Sequence, residues 1–220
     1  TNLRDVRLFN NILSGTFPPE LFSSLSNLKV FYVDSNSFSG QIPVEIENMV
    51  NLEDFQVYGN RITGQIPAGV GDLPKLTVLR VEGNGFTGTI PDNLGSNGGL
   101  RRVTLSNNRL VGTLPDALSS SKGLLRIQVD RNSLYGTLPS WLGTLSNLLS
   151  LNLASNDFEG EVPSELASLS NLEDLRLETN FLTGSVPNSL CGLGTLLILS
   201  SDCGGQTPAV TCECCTFCGT

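Results

Sequence analysis

The six cysteines are the residues with the most distinctive chemistry in this sequence, and all of them lie in its last thirty residues. Four fall within the segment TCECCTFCGT (211–220). The full set is Cys191, Cys203, Cys212, Cys214, Cys215 and Cys218. Cysteines can bind a metal as thiolates, exchange electrons or pair as disulfides, and the rest of the chain must indicate which chemistry applies.

Several function classes are disfavoured by composition. The chain of 220 residues contains no histidine, which excludes Ser-His-Asp and Cys-His catalytic arrangements and removes a common metal ligand. Carboxylates are scattered singly, so the sequence predicts that the chain is not an enzyme and uses no cofactor. No apolar run approaches the roughly 18 residues that a membrane span needs.

The net charge of −8 comes from the last third of the chain. After position 147 the sequence has nine acidic residues, and Arg176 is its only basic residue. A small basic group lies within residues 99–131. Nucleic-acid binding requires basic residues that dominate a whole face of the domain, so no nucleic-acid partner is predicted.

A 24-residue repeat organises the chain, with the pattern L-x-x-L-x-L-x-x-N-x-L-x-G-x-I-P-x-x-L-x-x-L-x-x. Its first leucine recurs at Leu28, Leu52, Leu76, Leu100, Leu124, Leu148, Leu172 and Leu196, after an earlier repeat that begins at Leu3. We number these repeats as rungs 1 to 9. The pattern predicts eight complete repeats over residues 1–195 and, over 196–220, an abbreviated ninth rung with a cysteine-rich cap.

Each rung is predicted to begin with a short strand, because apolar residues alternate in its L-x-L part. Residues such as Val57 and Val81 then point inward, and neighbouring rungs share one core at a strand spacing of about 4.8 Å. The repeated Asn is predicted to bond to backbone groups as a structural ladder. Its members are Asn11, Asn36, Asn60, Asn84, Asn108, Asn132, Asn156 and Asn180.

The repeat, with its L-x-G-x-I-P segment, resembles the plant-specific leucine-rich repeat of receptor ectodomains and of secreted inhibitors of cell-wall-degrading enzymes. The ending C-x-C-C-T-x-C resembles that of algal, notably diatom, leucine-rich repeat proteins. The resemblance implies an α/β repeat fold: a right-handed solenoid with short parallel strands on its concave side and 3-10 or short helical turns on its convex side. It also implies an extracellular location and binding of protein or peptide partners.

Two features depart from that family. The chain starts inside a rung, without the usual cysteine-containing N-terminal cap, so we expect that Thr1 is not the natural start and that the chain is part of a longer polypeptide or assembly. An R-x-R motif on one strand, which plant receptors use to hold a ligand carboxylate, is absent. Recognition of a free C-terminus is therefore a weaker hypothesis.

The cysteine spacing lacks the two separated C-x-x-C pairs typical of zinc sites, and the Cys215 to Cys218 pair lies in a tail rather than at a strand-helix junction. Metal and redox sites are therefore the minor alternatives. We predict a disulfide cap with all six cysteines oxidised and Cys191–Cys203 as the favoured pair. Such bridges persist in oxidising compartments, which predicts a secreted or cell-surface protein.

The outward positions of the predicted strands give a candidate binding face on the concave side. It carries Phe9, Tyr32, Tyr58, Arg80, Arg102, Arg126 and Arg131. Exposed Tyr and Arg are typical of binding hot spots, although a surface of this kind must hold some side chains in any case. The expected partner presents an apolar group near rungs 1–3 and acidic groups near rungs 4–6.

Three functions remain open at this point. The first is recognition of a protein, peptide or glycan through the concave face, and the second is inhibition of a secreted cell-wall-degrading enzyme. The third is a structural or ice-binding role for the flank, where the column after the repeat Gly contains Thr89, Thr113 and Thr137. Gln and Glu interrupt that column and favour an ordinary solvated strand.

Overall fold

Parallel strands at the start of each rung build one continuous sheet in the computed structural model, which describes residues 2–205 and 209–219. The expectation about Thr1 lies outside the described residues. The strands of this concave sheet are Asp5–Arg7, Val30–Tyr32, Asp54–Gln56, Val78–Arg80, Arg102–Thr104, Arg126–Gln128, Ser150–Asn152, Asp174–Arg176, Ile198–Ser201 and Phe217–Cys218. The predicted solenoid is confirmed, and the last strand adds a tenth layer to the nine rungs expected from the repeat.

A second parallel sheet lies along the flank after the repeated Asn, where the sequence analysis expected a solvated strand in each rung. Its strands are Ser14–Gly15, Ser37–Gly40, Arg61–Gln65, Gly85–Thr89, Arg109–Gly112, Ser133–Thr137, Asp157–Glu161, Phe181–Ser185 and Val210–Thr211. The repeat Gly lies within it at positive φ, for example +87° at Gly112, a conformation that glycine adopts without steric penalty. We call this second sheet the flank sheet.

Short helical turns form the convex side, each beginning directly after the repeat Pro, which occupies the N-cap position in the extended conformation typical of that position. The α-helical turns are Pro19–Ser24 and Asn188–Cys191. The 3-10 turns are Val44–Asn48, Ala68–Val70, Asp116–Ser120, Ser140–Thr144 and Ser164–Ser168. The helical turns of the convex side are therefore confirmed. Among the described residues, we find no helix with the length and apolar character needed to cross a membrane.

The core runs the length of the solenoid between these three sides. Val33, Val57, Val81 and Leu105, predicted to point inward, are all buried. Since no rung covers its own apolar edge, each buries it against the next one, as the repeat requires.

The repeated Asn side chains lie at the junction of the two sheets and bond to backbone groups of two rungs. The Asn60 amide nitrogen donates to the carbonyls of Val57 in its own rung and Val33 in the preceding rung, both at 3.0 Å. Its oxygen accepts from the backbone N–H of Phe38 at 2.9 Å. The same pattern recurs from Asn36 to Asn180, whereas Asn11 bonds to carbonyls of its own rung.

All six cysteines form disulfides, which confirms the predicted oxidised cap. The pairs are Cys191–Cys214, Cys203–Cys218 and Cys212–Cys215. The favoured pair Cys191–Cys203 was wrong. Cys191 ends a convex helical turn while Cys203 follows a concave strand, so the two lie on different sides of the solenoid and the returning tail supplies a partner to each.

The cap region also supplies side-chain hydrogen-bond acceptors to backbone groups at the end of the solenoid. The Asp202 carboxylate accepts from the backbone N–H groups of Thr179 at 2.7 Å and Asn180 at 3.0 Å, where earlier rungs offer a backbone carbonyl. The sulfur atoms of Cys203, Cys212 and Cys215 lie within 4.8 Å of one another, but each is held in a disulfide. None of the three is therefore a thiolate available to a metal ion.

Candidate functional site

The three predicted aromatic residues come together on the concave face. Phe9, Tyr32 and Tyr58 line one shallow depression with Asp34 and Gln56. Phe9 is exposed, and the two tyrosines are half-buried. The alternation of the strands and the alignment of successive rungs place these side chains on one surface.

Tyr32 is held by polar neighbours on the same face. Its hydroxyl donates to Asp54 Oδ2 at 2.6 Å, and Gln56 Nε2 donates to the other oxygen of that carboxylate at 2.9 Å. The Arg7 guanidinium carbon lies 5.1 Å from the ring centroid. Burial, then the bond to Asp54, raises the pKa of the Tyr32 phenol to about 12. The ring is thus positioned before any ligand arrives.

Tyr58 is stacked against Arg80, whose guanidinium carbon lies 4.0 Å from the ring centroid. Arg80 is itself paired with Glu82, with Nε 3.0 Å from Oε1, and Glu82 accepts from the Thr104 hydroxyl at 2.7 Å. Burial and a hydrogen bond with Asp34 raise the pKa of the Tyr58 phenol. The result is a connected aromatic and polar network over rungs 2–5.

The predicted arginines do not form one group. Arg102 and Arg126 lie side by side on neighbouring strands and are exposed. Arg131 lies in the turn after its strand, with a positive φ of 56°, and Arg80 is occupied by Tyr58 and Glu82. The structure therefore separates two regions. Around Tyr58 the arginine side chain is paired with groups of the chain itself, whereas two rungs further on Arg102 and Arg126 have no charged partner among the described residues.

In rungs 1 to 8, four residues at outward positions of the concave side are buried: Asp34, Thr104, Ser150 and Ala154. All four side chains are short, and longer side chains of adjacent positions, such as Tyr58 beside Asp34 and Glu82 beside Thr104, cover them. The concave face is consequently uneven, with small buried residues between long side chains.

Sequence reasoning missed the acidic partners on this face, Asp5, Asp54 and Glu82. The signal was available, because residues two apart on a strand point to the same side. The pairs Asp5 with Arg7 and Arg80 with Glu82 both have this spacing. Charges of opposite sign at i and i+2 on a predicted strand thus indicate which arginines are neutralised within the chain.

The flank residues proposed as an alternative surface are exposed and lean over the next rung. Thr89 Cγ2 lies 2.9 Å from the position that a Cβ on Gly112 would occupy, and Thr137 has the same relation to Gly160 at 3.1 Å. The repeat Gly therefore provides space for the side chain of the preceding rung. The same sheet also exposes charged residues, including Glu159.

The sequence profile of the Leucine Rich Repeat family matches residues 27–49, 75–97, 99–121, 147–169 and 171–193, which together exceed half of the chain. The chain belongs to the leucine-rich repeat family. No curated protein sequence gives a match.

Solved structures place this leucine-rich repeat chain close to plant receptor ectodomains. The ectodomain of the membrane receptor kinase GASSHO1/SCHENGEN3 from Arabidopsis thaliana, in complex with CASPARIAN STRIP INTEGRITY FACTOR 2, is 34% identical with a TM-score of 0.78, covering 91% of this chain and 26% of that one. The Arabidopsis receptor kinase HAESA, in complex with an IDA peptide hormone, is 26% identical with a TM-score of 0.82, covering 96% and 41%. The chain thus spans about a quarter of the GASSHO1 ectodomain.

A plant ice-binding protein is also similar to this chain. It is 25% identical with a TM-score of 0.79, and the match covers 98% of this chain and 74% of that protein. Similar solenoids therefore occur in proteins with different functions, so the side chains on each surface must decide between them.

Proposed function

We propose that this leucine-rich repeat chain recognises a protein or peptide partner outside the cell through its concave face. The observation that carries the proposal is the grouping of Phe9, Tyr32 and Tyr58, with Arg80 stacked on Tyr58, on a surface that the repeat leaves free to vary. Aromatic and Arg side chains in such a setting are those that supply most binding energy.

The network beneath these rings supports the proposal. The bonds that Tyr32 donates to Asp54 and Arg80 donates to Glu82 fix these side chains within the protein, which lowers the entropy lost when a partner binds. Three disulfides in the cap favour an oxidising, extracellular location. The HAESA ectodomain of similar structure is in complex with a peptide hormone, which fits the same mode of use.

The test is partner capture followed by a comparison of variants. The disulfide-bonded chain would be immobilised, and a partner taken from an extracellular extract would be identified and titrated. Tyr32→Ala and Tyr58→Ala should each weaken its binding by about tenfold or more. Lys122→Ala is the control, because Lys122 bonds to Thr144 on the convex side. A loss with the convex variant and none with the tyrosine variants would reject the concave face.

A second candidate is binding of ice or of an ordered assembly by the flank sheet, favoured by the similarity to the ice-binding protein over 98% of this chain. The exposed Thr63, Thr87 and Thr89 are of the right type, but Arg61 and Glu159 interrupt the surface. An ice-recrystallisation assay distinguishes the two candidates. Inhibition that is lost in Thr87→Lys and kept in Tyr58→Ala would move the function to the flank.

A further inference from the structure

The arginines on the strands of the concave sheet fall into two groups. Arg7, Arg80 and Arg176 each pair with a carboxylate two residues away on the same strand or directly after it. In the described part of the chain, Arg102 and Arg126 have no ion pair and no side-chain hydrogen bond. The positions two residues after Arg102 and Arg126 hold the neutral side chains Thr104 and Gln128.

These two arginines face each other across neighbouring strands, with Arg126 aligned to Arg102 in the sheet. Like charges in directly opposite positions disfavour the folded chain. The same column continues to Val78 on one side and to the buried Ser150 on the other, so neither neighbour offers a compensating charge. Two exposed guanidinium groups thus remain side by side in a protein with a net charge of −8.

We propose that Arg102 and Arg126 together bind a carboxylate of the partner, so that the partner recognised by the concave face is an acidic peptide segment. This inference rests on the proposed function. A guanidinium group presents a planar fork of N–H donors that matches a carboxylate. Strands about 4.8 Å apart allow one carboxylate to accept from both groups.

The distribution of charge along the solenoid also gives the partner a register. Beyond the pair, Asp130, Asp174 and Glu178 line the concave columns of rungs 6 to 8 and disfavour an anion there. Tyr32 and Tyr58 lie three rungs before Arg102 and Arg126, about 14 Å along the solenoid at the strand spacing. They also lie two and four residues further along the strand direction than the arginine column, which makes the separations about 16 and 19 Å. An extended peptide covers such a distance with about five or six residues, so the partner is expected to carry an apolar side chain at about that spacing from an acidic one.

Three probe peptides test the chemistry without a known partner. The first is acetyl-hexaglutamate amide, with side-chain carboxylates only. The second is acetyl-hexaglutamine with a free C-terminus, and the third is acetyl-hexaglutamine amide, which has no carboxylate. We expect the first or second, but not the third, to shift the Nε–Hε NMR signals of Arg102 and Arg126 while those of Arg7 and Arg176 stay in place. The responding peptide identifies a side-chain or a terminal carboxylate as the source.

Matched variants control for net charge. Arg102→Gln with Arg126→Gln should weaken binding of the responding peptide at least tenfold. Arg61→Gln with Arg109→Gln removes the same charge from exposed positions of the flank sheet and should change binding less than twofold. Equal losses of peptide binding in the two double variants would overturn the proposal. Heparin serves as a further anionic probe, and binding of heparin without binding of either carboxylate peptide would also overturn it.

The captured partner separates this inference from the proposed function. A partner that loses affinity with Tyr58→Ala and also with the Arg102 and Arg126 double variant supports both. Loss with Tyr58→Ala alone leaves concave recognition in place and rejects the carboxylate site.

Discussion

The concave sheet and the flank sheet are built from the same repeat, yet their strands align differently. In the concave sheet, partners such as Arg102 and Arg126 are 24 residues apart, so equivalent positions of successive rungs lie side by side. In the flank sheet, partners such as Gln65 and Thr87 are 22 residues apart, so each strand is shifted by two residues against the next. Successive residues of a concave column can therefore carry different side chains. In the flank sheet, by contrast, each repeat Gly must leave space for a side chain of the preceding rung.

The comparison separates a scaffold from a surface. The asparagine ladder and the glycine column stabilise the fold at positions where little variation is tolerated. The outward concave positions carry aromatic, acidic and basic side chains in no repeating order, as expected of a surface that specifies a partner. Three measurements, in order of decreasing effect, test this division.

The largest effect is expected at the junction of the two sheets. Asn156 is buried, donates to Val129 and Leu153 carbonyls at 3.0 and 3.1 Å, and accepts from the Leu134 N–H at 3.0 Å. Because Asn156→Ala leaves these backbone groups without partners, it should lower the free energy of unfolding by about 3 kcal/mol. Urea denaturation monitored by circular dichroism measures this change.

Asn11→Ala serves as its control. Asn11 is exposed and donates to the Leu8 and Phe9 carbonyls of its own rung, so water can replace its amide. The loss should stay below about 1 kcal/mol. Equal losses for the two variants would show that bonding between rungs contributes nothing beyond local bonds.

A smaller effect is expected within the flank sheet. Gly112 has a φ of +87°, and an added Cβ would lie 2.9 Å from Thr89 Cγ2. Gly112→Ala should therefore destabilise the fold by about 1 to 2 kcal/mol. At Gly123, which lacks a positive φ, the nearest atom would lie at 3.8 Å, so Gly123→Ala should change stability by less than about 0.5 kcal/mol. If both alanine variants unfold at the same urea concentration as the parent protein, the repeat Gly residues of the flank sheet are not required for stability.

The smallest effect concerns pH and the concave face. The pKa of Tyr32 is raised to about 12, first by burial and then by its bond to Asp54. Since the unfolded phenol titrates near pH 10, its contribution to stability is complete below pH 10 and is lost as the pH rises from about 10 to 12. Absorbance at 295 nm, compared between the parent and Tyr32→Phe, reports this ionisation. A phenol that titrates near pH 10 would contradict both its burial and its bond to Asp54.

Much of the scaffold could be predicted from the sequence, because one period of 24 residues fixes strand, turn and core positions in every rung. Val57 and Val81 are buried as the pattern requires, and the concave columns align as expected. The two-residue shift of the flank strands could not be predicted, since the 24-residue period gives the spacing of equivalent residues but does not specify which residues pair between neighbouring strands.

The candidate site was less predictable. The repeat indicates which positions face outward, but burial of Asp34 and Thr104 depends on the length of neighbouring side chains. The pairing of Cys191 with Cys214 depends on where the tail returns, which spacing alone does not specify. The binding roles of Tyr58, Arg102 and Arg131 stay predictions.

The asparagine ladder also gives the solenoid a direction. The Asn132 side chain accepts from Leu110 and donates to Leu105, both in the preceding rung, and it keeps a bond to Val129 in its own. Removing a rung therefore leaves two backbone groups of the preceding rung without partners, whereas the Asn of the following rung loses its bonds to the removed rung and keeps those to its own carbonyls. Each ladder Asn thus covers polar backbone groups of the rung before it. The ladder stops at Asn180, and there the Asp202 carboxylate accepts from the backbone N–H groups of Thr179 and Asn180.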